Sequence, residues 1–346
     1  MALEKEITIY DIARELNISA ATVSRGLKNN PNINKNTRKK IADMAQQLGY
    51  RSNTFASSLR SKKTHTIGVI VPRLNSHFVS SVLAGMESIA NKEGYNLIIS
   101  QSLENAAKEI ANAHTMFNKR VDGLLVSLAF DSQNIEHFQP FFAKHIPLVF
   151  FDRTYPHDES TSVIIDNYNA AYQITKHLLE QGCKRIMHLA GNTLRNVYAE
   201  RLRGYKDALK SYGIPFNENY LFISKLSEAS GAEAAAYILS IATAARPDAV
   251  FSANDTAAVH CMIRLKAAGI NIPADIAFAG FNNDPISSVI EPNLTTVNYS
   301  GNTMGETAVM SLIHQIKGTL NSKATNTIVL KAELIIRNSS LKKNFT

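Results

Sequence analysis

The segment Thr8-Ile9-Tyr10-Asp11-Ile12-Ala13, followed by Ser19-Ala20-Ala21-Thr22-Val23-Ser24-Arg25, decides the architecture of this chain. Thr8 with Asp11 three residues on is a capping-box start. Ile9, Ile12, Ala13 and Leu16 then recur at helical spacing. Asn17-Ile18 is a short turn, and Ser19 suits the cap of a second helix whose inward residues are Val23 and Leu27. Ala20, Ala21, Thr22, Ser24 and Arg25 are left near its exposed N-terminal end, the part of a recognition helix that meets base edges in a major groove. Arginine bonds guanine in bidentate fashion, alanine sits against a thymine methyl, and hydroxyls bind phosphate or base edges. Thr8, Tyr10 and Asn32 complete the candidate DNA-contacting set of this front end. A third helix is expected from about Asn34 to Leu48, with Ile41, Met44, Ala45 and Leu48 inward and Gly49 as its stop. Two short helices and a turn also fit a small bundle that binds nothing, so the reading depends on what surrounds them.

The charge distribution supports a DNA reader. The 346 residues carry a net charge of +8. Residues 1–65 hold 12 basic and 5 acidic residues, or +7, leaving +1 for the rest. That is the electrostatic footprint of phosphate binding. Lys35, Arg38, Lys39, Lys40, Arg51, Arg60, Lys62 and Lys63 are the expected phosphate neighbours, and they predict affinity that falls with salt. Hydrophobic residues make up 45% of the chain, enough for two or three folded domains, and no apolar run is long enough to cross a bilayer. The chain shows no apolar signal segment, so a cytoplasmic location is expected. Cys183 and Cys261, far apart in sequence, are expected as buried thiols in a reducing compartment.

Asn53-Thr54-Phe55-Ala56-Ser57-Ser58-Leu59 is a second short helical segment, capped by Asn53 and too short to be stable alone in water. From the residues alone, Leu59 packs on the following domain or serves as a wedge between bases. The opening motif, Thr37-Arg38 through Leu48-Gly49-Tyr50, and this segment together resemble the lactose-repressor (LacI/GalR) family of bacterial transcription regulators. The resemblance runs to about Arg337. It implies that Asn53, Ala56 and Leu59 belong to a hinge helix, and that paired hinge leucines enter the minor groove and kink it.

From Thr66 the pattern alternates between buried strands and helices, which predicts two doubly wound parallel units. The expected fold is a small all-α helix-turn-helix domain joined to an α/β two-lobed domain like the periplasmic binding proteins. The expected boundaries are 1–52 for the DNA-binding domain, 53–65 for hinge and linker, and 66–346 for the effector-binding and dimerisation domain. Within the last, lobe 1 is expected at about 66–163 plus 294–324 and lobe 2 at about 164–293 plus 325–338. Such lobes bind ligands in the cleft at the carboxyl ends of their strands. Polar residues that follow strands are therefore the candidate effector contacts: Asn75 with Phe78, Asp152-Arg153, Asn254-Asp255, Asn282 and Asn298. Asp255 also suits a helix cap. The resemblance adds Arg201 as the effector-binding arginine. It also marks two departures: Asn282 where relatives commonly carry aspartate, and Leu226 where many carry a stacking ring. These departures suggest an anionic ligand, a sugar phosphate or sugar acid held by Arg153 and Arg201.

Two other classes are weighed against a regulator. A ligand-binding protein of the periplasmic type shares the large domain but needs no basic helical front end. An α/β enzyme would carry a nucleophile elbow, a phosphate-binding loop or a dinucleotide fingerprint, and none occurs in this sequence. The ten histidines are scattered without metal-ligand spacing, so neither metal nor cofactor is expected. The expected partners are pseudo-palindromic double-stranded operator DNA, a small sugar-like effector and a second copy of the chain. The polar tail after Arg337 lacks heptads, which favours a dimer over a tetramer.

Overall fold

The computed structural model describes residues 7–50, 63–319 and 326–342. The chain divides into two compact units, Met1–Thr64 and His65–Thr346. The first holds three helices, α1 Ile9–Leu16, α2 Ala20–Leu27 and α3 Lys35–Gln47. At the start of α1 the Asp11 carboxylate accepts the Thr8 backbone N–H at 2.9 Å and the Thr8 hydroxyl at 2.7 Å. Asn17 turns the chain in the left-handed region, φ 50°, which asparagine tolerates better than most side chains. The Ser19 hydroxyl then accepts from the Thr22 N–H at 3.1 Å and caps α2. Ile12, Ala13, Val23, Ile41 and Ala45 form the core of the unit. The expected hinge helix with Asn53, Ala56 and Leu59 lies outside the described residues.

The second unit contains twelve described strands. Thr66–Val71, Asn96–Gln101, Gly123–Val126, Leu148–Phe151 and Thr161–Ile165 are β1 to β5, and Thr327–Leu330 is β11. These six form one parallel sheet in the order β11-β5-β4-β3-β1-β2. Ile186–Ala190, Leu221–Ile223, Ala249–Ser252 and Ala277–Ala279 are β6 to β9, a second parallel sheet ordered β7-β6-β8-β9. Thr296–Asn298 (β10) and Glu333–Ile335 (β12) pair antiparallel as a short ribbon. Each larger sheet is the centre of one lobe.

The lobe boundaries differ from expectation at two strands. β5 spans the expected boundary at 163/164 and β11 lies in a stretch expected in lobe 2, yet both join the first sheet. Alternation along the sequence marks a strand but not its sheet. Here helix Gly301–Ile316 lies across β3, β4 and β5, and β11 pairs with β5. That helix crosses helix His77–Lys92 at backbone contact. A Cβ on Gly85 would collide with the Asn302 carbonyl, and one on Gly305 with the Val82 carbonyl.

His188 of β6 is fully buried between Tyr205 and Phe251, with ring centroids 5.1 and 4.5 Å away, and its Nδ1 donates to the Phe251 carbonyl at 2.9 Å. Burial pushes its pKa down from 6.5 to about 4. Between those values the unfolded chain binds more protons at this site than the folded chain, so stability rises with pH. The contribution is complete above the unfolded pKa and is lost as pH falls through the folded one, in total about 3 kcal/mol. Denaturant titrations at neutral and mildly acidic pH should show this slope in the natural chain and a flatter one in His188→Phe. Equal slopes would exclude His188 as the source.

Candidate functional sites: an exposed helix face and an interlobe cleft

The exposed face of the first unit follows from the helical period. With Val23 and Gly26 of α2 turned inward, Ala21 and Arg25 are exposed and Ala20, Thr22 and Ser24 are half-buried. The Thr22 hydroxyl lies 2.8 Å from that of Ser19. Thr8, Tyr10 and Asn32 are also exposed, Tyr10 at 72% of its surface. Arg38 also makes a structural bond. Its Nη1 donates to the Asn29 carbonyl at 3.2 Å, so it braces the segment after α2.

In the second unit a cleft of about 710 Å³ opens between the lobes. Asn75, Phe78, Asp152, Arg153, Arg201, Leu226, Asn254 and Asn282 all line it. Three of them hold backbone conformations that side chains rarely adopt: Asp152 at φ 56°, Leu226 at φ 53° and Asn282 at φ 110°. Aspartate enters this region readily, whereas Leu226 must be held in it by the surrounding structure.

Arg201 is buried in the cleft wall. Its Nε donates to Asn167 Oδ1 at 2.9 Å and its Nη1 to the Ala253 carbonyl at 2.7 Å, while the guanidinium lies 3.6 Å from the Phe281 ring centroid. Two fixed bonds and a stacked face hold the remaining donors in one orientation, as fork-shaped recognition requires. Burial raises the pKa of Asp152, against the lowering effect of Arg153 and Arg201. Its carboxyl group makes no hydrogen bond to protein among the described residues, so its capacity is available to a ligand.

Other predicted residues that line the cleft also make bonds within the protein. Arg153 donates to Glu104 Oε2 at 2.7 Å and to the Tyr198 hydroxyl at 3.1 Å, with its guanidinium 4.3 Å from the Phe130 centroid. The Glu104 carboxylate thus pairs with its charge at the cleft wall. Asn254, not Asp255, caps helix Asp255–Ala267: its Oδ1 accepts the Ala257 N–H at 3.0 Å, and its Nδ2 donates to the Leu226 carbonyl at 2.8 Å. Asn282 Oδ1 accepts from the Tyr299 hydroxyl at 3.1 Å.

Two candidates do not line the cleft. Asp255 is fully buried. Its oxygens accept the Thr296 hydroxyl at 2.7 Å and the Asp284 N–H at 2.8 Å, and burial raises its pKa well above the carboxylate range. It ties β10 and the segment after β9 to its helix. Asn298 accepts from Asn283 Nδ2 at 3.2 Å within the same crossing segments.

The cleft also holds residues that the sequence reading passed over: Glu104, Phe130, Tyr198, Asp284 and Tyr299. Two of these had a legible signal. Tyr198 precedes Arg201 by three residues and so shares its helix face. Glu104 follows a strand, as the chosen residues do. Burial raises the pKa of the Tyr299 phenol and of the Asp284 carboxyl. Among the described residues no group of His, Cys, Asp and Glu is placed to hold a metal ion, and no helix is long and apolar enough to cross a membrane.

A helix-turn-helix unit in one chain with a two-lobed α/β unit is the architecture of a DNA-binding transcription regulator. Comparison with known proteins agrees. Residues 8–53 match the model of bacterial regulatory proteins of the lacI family, and residues 175–340 match the periplasmic binding protein-like domain. The chain is 35% identical to catabolite control protein A of Priestia megaterium over 294 residues, 84% of this chain and 87% of that protein. It is 30% identical to the ribose operon repressor of Haemophilus influenzae over 332 residues, 96% and 98% of the two chains. The structure of the Lac repressor dimer bound to operator and an anti-inducer superposes with a TM-score of 0.85 at 25% identity, covering 97% of this chain and all of that one. The chain belongs to the lacI family of bacterial regulatory proteins. It is a DNA-binding regulator of transcription, and its relatives are regulators rather than enzymes.

Proposed function

We propose that this regulator is a repressor whose operator affinity is set by a small effector bound between the lobes of the second unit. The reading is carried by one observation: a single chain joins an exposed recognition-helix face to a cleft in which a buried arginine is held by fixed bonds. Residues 53–65 serve as the hinge and linker. Two copies pair through the second unit and place two α2 helices in successive major grooves of a pseudo-palindrome, with Asn53, Ala56 and Leu59 near its centre. Lobe closure changes how well the two hinges align and so shifts the population competent for DNA. The operator-bound dimer of the Lac repressor neighbour supports this arrangement.

The effector is a sugar or sugar derivative. Arg201 and Asp152 offer a donor fork and an acceptor side by side, which suits adjacent hydroxyls. The pairing of Arg153 with Glu104 offsets one of the two charges on which an anionic preference rests. A neutral sugar is therefore expected to bind at least as well as its phosphorylated form in paired calorimetry; markedly tighter binding of the phosphate would reverse this assignment. Selection of bound DNA from random sequence, with and without a panel of such compounds, tests the whole reading. No enrichment of any duplex under any condition would reject it.

Arg25 supplies a sharper test of the reader. Arg25→Ala should lose discrimination at one base pair of the selected operator by about 1–3 kcal/mol and leave non-specific binding nearly unchanged. Uniform weakening on all sequences would make Arg25 a phosphate contact only.

A further inference from the structure

The protein itself spans the cleft along one wall. The segment after β6 and the start of helix Asn196–Ser211 belong to the second lobe; the segments after β3 and β4 belong to the first. Asn192 Nδ2 donates to the Phe130 carbonyl at 3.1 Å, and Arg195 Nη2 donates to the Ser132 carbonyl. Asn196 Oδ1 accepts the Thr154 N–H at 3.0 Å, and its Nδ2 donates to the Asp152 carbonyl at 3.1 Å. Arg153 adds its bond to the Tyr198 hydroxyl. By contrast, His77 of one lobe and Asp284 of the other stand 3.7 Å apart, beyond hydrogen-bond reach.

The receiving side of this seam is rigid. Glu109 is fully buried, and its carboxylate accepts the Ala129 N–H at 2.7 Å and the Ser132 hydroxyl at 2.8 Å, with His137 Nε2 at 3.0 Å. Those bonds fix the carbonyls that meet Asn192 and Arg195. The donating side is poised to release. Arg195 is 2% exposed, yet its Nε and Nη1 have no partner among the described residues. Opening the lobes would return those donors to water, so the closed seam carries a standing desolvation cost that keeps it reversible.

We infer that the stretch from Asn192 to Tyr198 is a built-in latch that holds the two lobes closed in effector-free protein. Effector then acts on a cleft whose closed form is already populated, and its influence is set against the latch rather than against a freely hinged pair of lobes. This inference stands on contacts between the lobes and not on what the cleft binds.

The test uses the full chain without DNA or small molecules. Donor and acceptor fluorophores are attached at Lys108→Cys in the first lobe and Glu233→Cys in the second. Both positions are exposed, and the natural thiols Cys183 and Cys261 are buried. Asn196→Ala removes two lobe-to-lobe bonds at once, and should raise the open population about tenfold or more. Arg195→Ala should shift the distance distribution in the same direction, and the double variant further. If Arg195→Ala does not fold, Asn196→Ala decides alone, with its unfolding midpoint confirming that it is native. The latch is overturned if Asn196→Ala keeps the parent distribution, or if the parent protein is already open. Neither result depends on operator binding or on the effector, so the proposed function can fail or stand separately.

Discussion

Arg201→Ala is expected to lower effector affinity by about 100-fold, near 3 kcal/mol, and to leave operator binding unresponsive to the compound. Bonds from a charged donor to a ligand contribute about 1.5–3 kcal/mol each, and Arg201 lines the cleft with its guanidinium held in place. Its fixed partners impose a second effect. Without the guanidinium, the Asn167 amide oxygen and the Ala253 carbonyl lose their donor, so the second unit should also lose about 1–3 kcal/mol of stability. Arg201→Lys separates the two effects. It keeps the charge but not the fork, so it should restore part of the stability and little of the affinity. Calorimetry with the effector recovered from the compound panel reads the first quantity, and denaturant unfolding reads the second. Binding of the effector by Arg201→Ala within a few-fold of the parent would remove Arg201 from the site.

Gly305→Leu should be the most destabilising single change in the first lobe, by about 3 kcal/mol or more. Helices His77–Lys92 and Gly301–Ile316 approach until each glycine faces the other helix's carbonyl. A side chain there cannot be accommodated by a rotamer change, because the atom it meets is backbone. The helices must separate, which opens voids over β3, β4 and β5, the strands that Gly301–Ile316 covers. Even Gly305→Ala should be felt strongly. Gly85→Ala added to it should cost less than the sum, because one separation relieves both collisions. If denaturant midpoints place Gly305→Ala within experimental error of the parent, the close crossing does not contribute as argued.

Much of the first unit was legible because its determinants are local. Thr8 with Asp11, Asn17, Ser19 and the helical spacing of Ile12, Ala13, Val23 and Ile41 each act within a few residues, and the structure has the three helices where those signals put them. The cleft was legible in outline for a similar reason. In a doubly wound sheet, residues that follow strands gather at one edge, so choosing polar residues there found five that line it, Asn75, Asp152, Arg153, Asn254 and Asn282, while Arg201 and Leu226 came from the family resemblance. Arg153, Asp255 and Asn298 show the limit. Each is a polar residue after a strand or beside a cap, and each is engaged by a partner distant in sequence: Glu104, Thr296 and Asn283. Nothing at the residue itself says whether its bonding capacity is already used.

By itself, then, the sequence determined a basic helix-turn-helix front end, the alternation of strands and helices behind it, and the region where the cleft forms. All of these arise from short-range periodicity, capping and charge. Only the tertiary structure decided which sheet β5 and β11 join, which polar groups remain free for a ligand, and that Asn196 and Arg195 fasten one lobe to the other. Those outcomes depend on pairings between segments tens of residues apart, where packing and hydrogen-bond geometry select among partners that composition and spacing leave equivalent.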